Sequence, residues 1–66
     1  MSNLKQKRES AGFSQSQLSK ASDVNVRIIQ DYEQGRRDIN KAESFTVYKL
    51  SKALNCTMED LIEFEQ

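Results

Sequence analysis

Val26, Arg27, Gln30, Asp31 and Gln34 are the residues of this 66-residue sequence whose types and spacing suggest chemistry. At about 100° per residue they fall on one side of a helix. Asn25, Ile29 and Tyr32 fall on the other, with Ile28 and Glu33 at its margins. The outer set is a guanidinium, two carboxamides, a carboxylate and a small apolar group. Each has a partner on a base edge in the major groove: Arg with guanine O6 and N7, Gln with adenine, Asp with cytosine N4, and Val with a thymine methyl. The same face could also be no more than a solvated helix surface. Asp31 has two open roles, accepting from a cytosine or pairing with Arg27 four residues earlier.

Other chemistries lack their residues. The sequence has no histidine and one cysteine, too few ligands for a structural zinc site. No clustered nucleophile and base is present, and a pocket of ordinary size is hard to house in so short a chain. We therefore expect no enzyme, no cofactor and no small-molecule ligand. Cys56 cannot form an internal disulfide, which fits a reducing cytoplasm. It either packs on Leu61 as a hydrophobic staple ahead of Thr57 or serves as a reactive thiol.

The elements that must position the reading set belong to one small expected domain, residues 1–66. At this size only about 60% of the unfolded surface can be buried. Apolar residues at 36% and charged residues at 30% suit a globular chain. No apolar run approaches the roughly 20 residues of a membrane span, and no secretory leader pattern opens the chain. The net charge of zero hides an asymmetry: residues 1–58 hold all ten basic residues against six acidic ones, a net of +4. The last eight residues carry Glu59, Asp60, Glu63 and Glu65, an acidic tail.

With no proline, two glycines and no strand-like alternation, the expected fold is all-α with five helices. The first spans about 3–11, with Leu4, Arg8 and Ala11 on one side and a stop at Gly12. Ser14 and Gln17 form a capping box for the second, whose apolar side is Leu18 and Ala21. Asp23 takes a left-handed turn. Asn25 caps the third helix, which stops at Gly35. After the loop "RRDINK" a fourth helix is expected over about 42–54. Thr57 and Asp60 then start a fifth. The expected core is Leu4, Phe13, Leu18, Val24, Ile29, Tyr32, Val47, Leu50, Leu54, Leu61 and Ile62.

Only about three residues separate the second and third helices, the spacing of a helix-turn-helix. The stretch "GFSQSQLSKASDVNVRIIQDYEQGRRDIN" resembles the phage repressor and Cro-like (XRE-type) helix-turn-helix family. The resemblance is carried by Gly12 with an apolar neighbour, "SQ" at 14–15, Leu18, the turn, Val24, Ile29 and "YEQG" at 32–35. "LSKALNCTMEDLIE" is similar to that family's fourth and fifth helices, so the likeness covers about residues 3–63. It implies a compact, lambda-repressor-like domain of five helices that binds double-stranded DNA as a dimeric transcription regulator. It also implies a structural salt bridge between Arg8 and Glu33, and a phosphate contact from Gln15. Two departures stand out: Ser19 where a small apolar residue is common, and Asp23 where the turn has glycine.

Gln15 also lies in a helix's first turn, where free amides favour an anion. Asn25 at the start of the third helix, and Arg36, Arg37 and Lys41 after its end, complete the expected phosphate set. Three or four such contacts give a log–log salt slope of about −3 to −4 per monomer. Phe45, opposite the apolar side of the fourth helix, and Phe64 are the candidate dimer surface. The leading expectation is a cytoplasmic homodimeric repressor occupying an operator. A protein-interaction module on the same fold is the alternative, kept open by the acidic tail, the neutral total and the exposed aromatics.

Overall fold

Short polar side chains decide where each helix begins. In the computed structural model, which describes residues 2–63, Ser2 Oγ accepts from the Lys5 amide at 3.1 Å and opens α1 (Asn3–Ser10). Ser14 and Gln17 bond reciprocally, at 3.1 and 2.8 Å, to open α2 (Gln15–Ser22). Asn25 Oδ1 accepts from the Arg27 amide at 2.8 Å to open α3 (Val26–Gln34). α4 (Ser44–Leu54) starts from an extended Glu43 with no side-chain cap bond.

The ends are as local as the starts. α2 ends at Asp23 with φ of 60°, α3 at Gly35 with φ of 79°, and α4 at Asn55 with φ of 54°. All three occupy the left-handed region, which Gly, Asn and Asp tolerate best.

α2 packs on both α3 and α4, and α1 packs on α3. Leu4, Leu18, Ile29, Leu50 and Leu61 are fully enclosed, and Val24, Ile39, Val47 and Leu54 complete the buried core. Each such side chain contributes about 1.5–3 kcal/mol of burial. Among the described residues no buried side-chain polar atom lacks a hydrogen-bond partner. No helix among them is long and apolar enough to cross a membrane.

Among the described residues the architecture is all-α, with four α-helices rather than five. Thr57 and Asp60 do bond reciprocally, at 3.0 and 3.2 Å. The chain then makes only a tight turn, with Asp60 and Leu61 amides donating three residues back. Further winding is pre-empted because the Glu63 amide donates to Asn40 Oδ1 at 2.9 Å instead of to a preceding turn. Asn3 binds the same segment, its amide donating to Glu63 Oε1 at 3.2 Å and its Nδ2 to the Ile62 carbonyl at 3.0 Å. Glu63 thus lies at the start of α1, where a negative charge is favoured.

α4 begins two residues later than the apolar pattern suggests. Asp38 caps a single 3-10 turn, Ile39–Lys41, and Ala42 is extended. That turn sends Ile39 into the core from a loop that reads as polar. Other core expectations shift by degree. Phe13 and Tyr32 are partly buried against the core, Ile62 is half-buried, and Ala21 is exposed. Ser22 takes the inner position on α2, its hydroxyl donating to the Leu18 carbonyl at 2.7 Å.

Candidate nucleic-acid interface

Three side chains fix the turn between α2 and α3. Ser19 Oγ donates to the Val24 carbonyl at 2.6 Å, so this hydroxyl closes the turn rather than bonding within its own helix. The Val24 amide donates to Ser22 Oγ at 3.3 Å, and Lys49 Nζ on α4 donates to the Asp23 carbonyl at 3.3 Å. Backbone groups that a tight turn leaves without helical partners are thereby satisfied. The result is a set angle between the two helices.

The inner side of α3 is anchored at both ends. Ile29 is enclosed, while Ile28 and Tyr32 pack on the core from its edge. Burial pushes the Tyr32 phenol above its ordinary pKa, so it stays neutral. At the far end Glu33 is held by Arg8. Arg8 Nε donates to Glu33 Oε2 at 2.7 Å and Nη2 to Oε1 at 3.0 Å, a bidentate pair. Arg8 Nη1 also donates to the Phe13 carbonyl at 2.8 Å. The two side chains are 11% and 3% exposed. The hydrogen bond to Glu33 is the main cause of a raised Arg8 pKa, so this guanidinium does not titrate.

With that side committed inward, the opposite side of α3 faces out. Arg27 and Gln34 are exposed, and Val26, Gln30 and Asp31 are half-buried. Arg27, Gln30, Asp31 and Arg36 line one open concavity of about 460 Å³. Guanidinium, carboxamide and carboxylate thus share one hollow, where they can bond the edges of a base pair.

Asp31 does not pair with Arg27. Its Oδ1 accepts from Arg36 Nε at 3.1 Å and its Oδ2 from Arg37 Nε at 3.2 Å. The physical reason lies in the backbone, because the Arg36 and Arg37 amides both donate to the Asp31 carbonyl, at 2.8 and 3.2 Å. That folds the two arginines back over the last turn of α3. Helical spacing does not reveal such a contact, since it follows from the left-handed Gly35.

The other site residues divide as follows. Asn25 is exposed at the start of α3, with its side-chain oxygen engaged in the cap. Lys41 is exposed beyond the arginines. Gln15 is half-buried, and its Nε2 donates to Glu33 Oε1 at 3.1 Å. One carboxylate therefore joins α1, α2 and α3. Phe45 is 65% exposed on α4, with Lys49 Nζ 4.8 Å from its ring centre. Tyr48 beside it is also exposed, with Lys52 Nζ at 5.6 Å from that ring. Tyr48 lies three residues after Phe45 on one helix face, a spacing visible in the sequence that adds a second aromatic to the candidate surface. Phe64 lies outside the described residues.

Cys56 is half-buried against the core, and burial, followed by nearby Asp60, pushes its thiol pKa upward. That disfavours the thiolate on which reactivity depends. Among the described residues no group of His, Cys, Asp and Glu could hold a metal ion.

A family model described as helix-turn-helix matches residues 4–61, which takes in all four helices but the first residue of α1. Among curated proteins no match was found.

Proposed function

This chain belongs to the XRE-type, Cro-like helix-turn-helix family of DNA-binding transcription regulators, and from that membership we propose that it is a repressor reading operator DNA with α3. The observation that carries the reading is the sidedness of α3. Its inner face is fixed by Ile29 and the Arg8–Glu33 pair, and its outer face presents Arg27, Gln30 and Gln34 beside Val26. Arg27 and Gln30 supply the main base contacts, each good bidentate bond giving about 1–3 kcal/mol of discrimination. Val26 and Gln34 add to them.

Asn25, Arg36, Arg37 and Lys41 flank the reading face and contact phosphates. Gln15 joins them through the second hydrogen of its Nε2, the first being given to Glu33. One domain with one reading helix covers little DNA, so the chain acts as a homodimer over residues 1–66, with Phe45 in the contact between copies. The two α3 helices then enter the groove about 34–36 Å apart.

The test is titration of fluorescent duplex DNA at several salt concentrations. With Arg36, Arg37 and Lys41 on phosphates and one of those charges balanced by Asp31, the proposal expects a log–log slope of about −2 per monomer. A flat response would overturn it. A second reading, a protein-interaction module, rests on the exposed Phe45 and Tyr48. It expects no duplex binding at moderate salt.

A further inference from the structure

We infer that Asp31 is a specificity-determining residue, one that restrains Arg36 and Arg37 and so weakens sequence-independent binding. The inference rests on the DNA-reading proposal above.

The cluster has three charges and a fixed geometry. Each Asp31 oxygen is taken by the Nε of a different arginine, at 3.1 and 3.2 Å. The main-chain carbonyl of Asp31 holds both arginine amides, which brings the two side chains within reach of its carboxylate. The Asp31 side chain is 28% exposed, while those of Arg36 and Arg37 are 61% and 55% exposed. Their terminal nitrogens are therefore open to a phosphate, but one of their two positive charges is already balanced.

Binding to an arbitrary duplex is almost wholly a matter of charge. A carboxylate within the phosphate-facing cluster subtracts from that term directly. Asp31 also lines the hollow shared with Arg27 and Gln30. In a correctly seated groove its oxygens meet amino donors on base edges as well as phosphates. Along a non-cognate backbone they meet phosphates alone. Asp31 thus penalises the wrong sequence more than the right one, as an unfavourable charge does in many selective interfaces.

The experiment compares wild type with Asp31→Asn on a random duplex and on a duplex selected by the wild type. Asparagine keeps the size and one acceptor while removing the charge. One released charge steepens the log–log slope on random DNA by about 0.9. If the two proteins converge near 1 M salt, the variant binds random DNA about eightfold more tightly at 0.1 M. The gain on the selected duplex should be smaller. Glu9→Gln, which removes an exposed α1 carboxylate outside the cluster, should leave both affinities within about twofold.

Weaker or unchanged binding of random DNA by Asp31→Asn, in the face of normal wild-type binding, would overturn the inference and leave the reading of DNA by α3 intact. Failure of the wild type to bind any duplex would sink that reading as well. A measurement without any variant guards against a folding defect. The Arg36 and Arg37 Nη resonances of the wild type should shift when duplex is added, as phosphates engage the terminal nitrogens that Asp31 leaves open. Resonances that stay put while DNA binds would also overturn the inference.

Discussion

Replacing Arg8 with alanine should cost far more stability than its place near the surface suggests. The guanidinium makes three hydrogen bonds, two to Glu33 and one to the Phe13 carbonyl. Its removal leaves the Glu33 carboxylate, 3% exposed, with the Gln15 amide as its only remaining side-chain donor among the described residues. Breaking a buried pair by deleting one partner costs about 3–5 kcal/mol. Arg8 is slightly open to water, so the low end, about 3 kcal/mol, applies. A domain of this length has a total stability of roughly 3–10 kcal/mol. The loss is therefore a third or more of the total, or on the order of 15 °C in Tm.

Urea denaturation at pH 7, followed by helical circular dichroism, measures it directly. The companion variant Arg8→Met with Glu33→Leu removes both charges and fills the space. It should recover most of the loss, because the cost lies in the orphaned carboxylate and not in the absent bond. A midpoint for Arg8→Ala corresponding to less than about 1 kcal/mol would refute this account of how α3 is held. So would a double variant no more stable than the single one.

Gly35→Ala should lose about 1–2 kcal/mol, because φ is 79° there although a methyl group would meet no neighbour within 4 Å; a melt of the variant reads this. Ser19→Ala should lose roughly 1 kcal/mol with the bond to the Val24 carbonyl. An equally stable Ser19 variant would mean that the turn does not depend on that hydroxyl. Asp60 predicts a pH effect. Bonds from Thr57, its amide first, hold the Asp60 carboxyl below its ordinary pKa. The stabilisation is therefore complete above about pH 4 and fades as pH falls through the lower folded value. The stability difference between wild type and Asp60→Asn should be present at pH 7 and gone in strong acid.

Much of this structure is legible in the sequence because much of it is local. Ser14 with Gln17, Asn25, Asp23 and Gly35 act within a few residues, so the bounds of α2 and α3 follow from short-range bonding. The sidedness of α3 follows from periodicity alone. What periodicity misses are contacts made across long sequence separations or through a change of chain direction. The Thr57–Asp60 box forms but does not propagate, because Asn40 and Asn3 capture the segment that follows. Ile39 looks like loop until a capped 3-10 turn points it inward. At the candidate site Asp31 is the clearest case. Helical spacing offers Arg27 as its partner, whereas the reversal at Gly35 delivers Arg36 and Arg37.

The central claim is that the outer face of α3 reads bases, and site selection from random duplex DNA tests it most directly. Wild type, Arg27→Ala and Gln30→Ala should be carried through the same selection at moderate salt. The account predicts an enriched palindrome for the wild type, with half-sites about one helical turn apart. Each variant should lose preference at its own position within the half-site. Enrichment of no sequence by the wild type, or the same palindrome selected equally by both variants, would contradict it.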